Sequence, residues 1–140
     1  TPILIHPSSI ISPSARIEEG TVVMPNVVVN AKVYIGKCAI LNSSCVVEHE
    51  CMIGDFVHIS PKVSIAGDVR IGDFTHIGIG SNVIQGIIIG KNVIVGGGSM
   101  VIRNIEDNQK VVGVPARLIP SASNRGVNSS FYFPTSRKAS

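Results

Sequence analysis

His49 stands between two glutamates in the run Asn42-Ser43-Ser44-Cys45-Val46-Val47-Glu48-His49-Glu50-Cys51. An imidazole titrates near neutral pH, and a carboxylate held against one ring nitrogen raises its basicity and fixes its tautomer. That is the chemistry of a general base, which takes a proton from an attacking amine or hydroxyl. Adjacency in sequence does not put Glu50 on the ring; only a shared corner of the fold would. Taken alone, a surface histidine of this kind more often does nothing. His58 and His76 follow, eighteen residues apart. Three cysteines, Cys38, Cys45 and Cys51, are an odd count without the close paired spacing of a zinc site. No Ser-His-Asp or Cys-His spacing points to a covalent nucleophile.

The elements that must carry these residues follow a six-residue clock. From Ile5 the steps are Ile11, Ile17, Val23, Val29, Ile35, Leu41, Val47, Ile53, Ile59, Ile65, Ile71, Ile77, Val83, Ile89, Val95 and Val101, with no slip. Four places after each aliphatic sits a small or apolar residue, as at Ala15, Thr21, Val27, Cys45, Cys51 and Ser81. One place after it, Gly or Asn is frequent, as at Asn30, Gly36, Asn42, Gly54, Gly72 and Gly96. Each hexad therefore reads as a short strand with two inward side chains, then a corner. The Gly and Asn are expected to supply the positive φ that a sharp corner demands. β-Branched richness suits strands, and no 3.6-residue period calls for a helix. A fixed short period means a solenoid, in which each repeat packs only on its neighbours. On this clock Cys45 and Cys51 are inward, buried thiols, whereas His49 lies in a corner on the outside. Val22, Val28, Ile40 and Val46 take outward places, an apolar surface that marks an interface.

The clock divides the chain into a coil domain over 1–105, a short extension over 106–119 and a tail over 120–140 rich in Ser, Asn, Arg and Pro. The tail reads as flexible, with Phe131-Tyr132-Phe133 as its one adhesive element. Of the 140 residues 44% are hydrophobic and only 4% aromatic, which fits a core of Ile and Val too narrow for rings. No stretch reaches the roughly 20 apolar residues of a membrane helix, and no charged-then-apolar signal pattern opens the sequence. A cytoplasmic protein without membrane insertion is expected, and Thr1 in place of an initiator Met reads as a trimmed, processed or fragmentary chain. The net charge of +3 is scattered and not interleaved with aromatics, which argues against nucleic acid.

Over 5–105 the repeat resembles the hexapeptide-repeat acyltransferases. The resemblance implies an all-β fold, a left-handed parallel β-helix: a triangular prism of about six coils, with residues eighteen apart stacked along one edge. The left hand comes from the resemblance, since crossover rules favour the right hand. The stretch Asn42 through His58, with His49-Glu50-Cys51 and Gly54-Asp55-Phe56, is similar to the site of acetyltransferases that modify nucleotide-linked amino sugars and sialic acid. The resemblance implies catalytic roles for His49 as base and Glu50 as the acid that tunes it. It implies acetyl-CoA contacts at His58, Gly67, Ile79, Gly97 and Arg117, with Lys91, Arg103 and Lys110 as further candidates for the cofactor's phosphates. Asn42 would lie near the acceptor or thioester. The Gly113-Val114-Pro115-Ala116-Arg117 run resembles the family's element at the adenine end of the cofactor.

The implied reaction is direct transfer of acetyl from acetyl-CoA to an amino or hydroxyl group of a sugar, in a homotrimer with sites between subunits. No metal is expected, because the histidine pair of the family's zinc enzymes has no counterpart here. The amino-sugar members carry a nucleotide-sugar-binding domain before the coil, and this chain begins at the coil. The other readings are acetylation of a small non-sugar acceptor and a trimeric scaffold without turnover.

Overall fold

In the computed structural model of the chain, residues 1–120 are described. Each hexad forms a two-residue strand followed by a turn, and the strands stack as three parallel sheets. The first sheet holds β1 (Leu4–Ile5), β4 (Val22–Val23), β7 (Ile40–Leu41), β10 (His58–Ile59), β13 (His76–Ile77), β16 (Ile94–Val95), β18 (Lys110–Val112) and β19 (Arg117–Leu118). The second holds β2 (Ile10–Ile11), β5 (Val28–Val29), β8 (Val46–Val47), β11 (Ser64–Ile65), β14 (Asn82–Val83) and β17 (Met100–Val101). The third holds β3 (Arg16–Ile17), β6 (Tyr34–Ile35), β9 (Met52–Ile53), β12 (Arg70–Ile71) and β15 (Ile88–Ile89). Every parallel pair from β1 to β17 joins residues eighteen apart, as in His58↔His76 and Val46↔Ser64. This all-β solenoid of about six coils is consistent with the expected left-handed β-helix. Among the described residues there is no helix, and so none long and apolar enough to cross a membrane.

The two inward places of each hexad build the core. From Val23 to Val101 every aliphatic on the clock is buried, and Val27, Val33, Ala39, Cys45, Cys51, Val57, Val63 and Val69 fill the second place. Where that second place is Thr or Ser, the hydroxyl bonds the backbone of a corner. Thr75 Oγ1 donates to the Gly90 carbonyl at 2.7 Å and accepts from the Val93 N–H at 3.0 Å. Buried polar groups persist in a core only when paired in this way. In the first coil Ile5 is 43% exposed although it is on the clock.

The corners differ from the expectation. Positive φ falls three places after the aliphatic, not one: at Asn26, Lys32, Cys38, Ser44, Glu50, Phe56, Lys62, Asp68, Phe74 and Asn92. Each such residue donates its N–H to the coil before it, as Glu50 does to Ala31 and Asp68 to His49, both at 2.9 Å. The glycines one place after the aliphatic serve close stacking instead. A Cβ on Gly72 would come within 2.7 Å of the Gly90 carbonyl carbon and the Lys91 nitrogen. The chain then leaves the hexad register. Lys110–Val112 joins the first sheet beside Ile94–Val95, and Arg117–Leu118 folds back antiparallel on it.

Candidate active site

Corner 48–50 links β8 of the second sheet to β9 of the third, and so forms one edge of the prism. His49 and Glu50 are open to solvent there, their side chains 54% and 58% exposed. The corner brings Glu50 Oε1 to 3.2 Å from His49 Nδ1. A carboxylate accepts only, so Nδ1 carries the proton and Nε2 is left with its lone pair; the tautomer is assigned from this contact. Glu48 is turned away: its Oε1 accepts from Asn30 Nδ2 at 2.8 Å in the coil before. Of the two flanking glutamates, only Glu50 serves the ring. One coil on, Gly67 lies against the imidazole.

A second group occupies the first sheet. Asn42 Oδ1 accepts the Ser43 backbone N–H at 2.8 Å, so its Nδ2 faces His58 Nε2 at 3.3 Å. His58 Nε2 then accepts, and Nδ1 is the donor left for a ligand. The His58 and His76 rings lie 4.6 Å apart, as their spacing of eighteen implies. Desolvation by burial, and then the neighbouring His76, hold the His58 pKa below the usual histidine value. A neutral ring at physiological pH suits a hydrogen-bond donor to a carbonyl.

Ser60 escaped the sequence reading. Its Oγ meets His76 Nε2 at 3.0 Å, repeating the Asn42–His58 contact one coil later. The shared spacing of sixteen, from corner residue to strand histidine, was the available signal.

Ile79 and Gly97 meet on the edge between the first and second sheets, where a Cβ on Gly97 would lie 3.1 Å from Ile79 Cγ2. Arg103 and Arg117 come together around a cavity of about 650 Å³ at the C-terminal end, lined also by Val101, Ile105, Val111 and Leu118. Lys91 and Lys110 are not part of that group: Lys91 is on the edge after the third sheet, and Lys110 is on the first sheet beside Ile94. Cys45 and Cys51 are buried, and burial pushes their thiols up to about 12 and about 11 respectively. Neither is a thiolate nucleophile near neutral pH. Among the described residues no cluster of His, Cys, Asp and Glu is fit to hold a metal ion.

The structure brings His49, Glu50 and Gly67 together, and Asn42 with His58. It does not bring the two groups together within one chain, because the first sheet is the face opposite the 48–50 edge.

No protein-family model matches the chain, and no curated protein matches it. Solved structures do. A histidine-to-alanine variant of GDP-perosamine N-acetyltransferase from Caulobacter crescentus, in complex with CoA and GDP-perosamine, is 40% identical over 86% of this chain, with a TM-score of 0.85. The acetyltransferase domain of PglB from Neisseria gonorrhoeae, in complex with acetyl coenzyme A, is 39% identical over 84% of this chain, with a TM-score of 0.84. AntD, an N-acyltransferase from Bacillus cereus in complex with dTDP and coenzyme A, shares the fold at 21% identity over 84% of this chain and 79% of its own, with a TM-score of 0.77. The chain spans 57% of the perosamine enzyme and 58% of the PglB chain. In its unbroken repeat, its coils and this identity, the chain is similar to the hexapeptide-repeat acyltransferases, and among them to the amino-sugar N-acetyltransferases.

Proposed function

We propose that the chain is the catalytic β-helix of an acetyltransferase that moves acetyl from acetyl-CoA to an amino group of a nucleotide-linked sugar. The observation that carries this is His49 Nδ1 on the Glu50 carboxylate at 3.2 Å, which leaves Nε2 open at an exposed edge. The similarity to enzymes solved with CoA and GDP-perosamine supports both donor and acceptor class. His49 Nε2 takes the proton of the acceptor amine as its nitrogen attacks the thioester carbonyl. Negative charge then grows on the carbonyl oxygen, where the His58 Nδ1–H is a suitable donor. Collapse breaks the C–S bond and expels CoA as thiolate, which the imidazolium of His49 reprotonates. Glu50 holds the ring in one tautomer.

His49 and His58 occupy opposite sides of one prism, so a working site needs two copies of the chain. A homotrimer with shared sites meets that need, with Ile79, Gly97 and Arg117 along the cofactor groove and Asn42 supporting His58. The test is titration of acetyl-CoA by calorimetry, followed by turnover with GDP- and UDP-linked amino sugars. Binding should weaken in His58→Ala, and His49→Ala should bind acetyl-CoA but lose about 10²–10⁴ in kcat, the usual worth of a general base. Wild-type turnover in His49→Ala would remove the assignment.

A further inference from the structure

Gly67 stands one coil above His49, and its missing side chain is filled by the imidazole. A Cβ built there would lie 2.6 Å from His49 Nε2, 2.7 Å from Cε1 and 3.2 Å from Cδ2. Real Cβ atoms do not approach other atoms so closely. The backbone does not itself call for glycine, because Gly67 is outside the left-handed region in which Gly80 and Gly86 lie. The crowding is also unlike that at Gly72 or Gly78, where a Cβ would strike the backbone of the next coil. At Gly67 its three nearest atoms all belong to one imidazole. The same column of the edge carries Gln85 one coil away, Ala31 two and Pro13 three, so side chains are tolerated elsewhere along it.

We propose that Gly67 is a positioning residue for the base. Its bare Cα is the seat against which the His49 ring lies, with Glu50 holding Nδ1 from the other side. This inference rests on the reading of His49 as the base. It assigns Gly67 a role through His49, distinct from the backbone contact to acetyl-CoA that the family resemblance implies. The Asp68 N–H bond to the His49 carbonyl at 2.9 Å ties the two corners together, so ring and seat keep one spacing.

A methyl at Gly67 meets a side chain, and a side chain swings aside where backbone would not. Gly67→Ala therefore folds, but the ring leaves its seat and the 3.2 Å contact to Glu50. Misplacing a catalytic group by about an ångström costs on the order of 10²-fold. The experiment compares wild type, Gly67→Ala, Glu50→Gln and the double variant by steady-state kinetics, with ring-nitrogen NMR of His49. Expected is a fall in kcat of roughly 10–100-fold in Gly67→Ala, an unchanged KM for acetyl-CoA and a mixture of His49 tautomers. The double variant should lose no more than the worse single one, because both act on the same ring. An unchanged kcat, or a raised KM for acetyl-CoA with kcat intact, would overturn the inference. His49→Ala, run alongside, separates the failures: full activity there ends the base assignment itself, whereas inactive His49→Ala with fully active Gly67→Ala ends only the seat.

Discussion

At the scale of single residues, His58 and His76 carry a consequence of their own. Burial first, and His76 second, hold the His58 pKa below the ordinary 6.5. As pH falls through that ordinary value, an unfolded His58 takes up a proton while the folded one resists. The unfolded state then binds more protons, so stability rises with pH across this window and is lost as pH falls through it. His76→Gln removes the second cause and leaves the first. The His58 titration followed by NMR should move up toward, but not reach, 6.5, and the pH dependence of the urea midpoint in this window should flatten. A His58 titration that does not move would mean that burial alone sets it. The same reasoning shows what separates the histidines: His49 is exposed beside a carboxylate, whereas His58 is half-buried beside a second imidazole.

At the scale of the element, the hexad is held by two devices that look alike in sequence. Glycines one place after the aliphatic allow coils to approach, and residues three places after it take positive φ. Gly72→Ala tests the first. Its Cβ would meet backbone of the next coil at 2.7 Å, and overpacking of this kind costs about 1–3 kcal/mol. Gly86, at φ +77 with open space around it, should lose only about 1 kcal/mol on substitution by Ala, the cost of a left-handed Cβ. Urea unfolding of the two variants would distinguish them, and equal losses would contradict the assignment of roles. Strands, inward residues and stacking by eighteen were all legible, because burial forces a strict period. The true site of positive φ was not. Glu50, Phe56, Phe74 and Cys38 occupy it without being Gly or Asn, and each is tied by its N–H group to a corner carbonyl of the coil before. The seat at Gly67 was legible only as a spacing of eighteen from His49; that a ring fills it depends on the His49 side chain's direction, which spacing does not set.

At the scale of the whole molecule, the decisive number is nine. His49 and His58 are nine residues apart, half of an eighteen-residue coil, so one lies on an edge and the other on the face across the prism. If both histidines serve one site, as proposed, a single chain cannot close it, and the outward apolar residues offer a means of pairing: Ile40 is 39% exposed on the first sheet, with Val22 half-buried beside it and Val28 and Val46 on the second. Packing these faces together in a closed ring would bring the His49 edge of one copy beside the His58 face of the next. This is tested by mixing two variants, each impaired in a different group. His49→Ala retains a working His58 face, and His58→Ala retains a working His49 edge. If each site draws one group from each of two neighbours, random trimers from an equal mixture hold both intact groups at about a quarter of their sites. Co-refolding the two variants should therefore restore about a quarter of wild-type activity, well above either variant alone. Recovery must also disappear when the trimers are formed separately and mixed without exchange, which rules out wild-type contamination. No recovery after verified exchange would place both histidines in a site made by one chain, against the geometry of the prism.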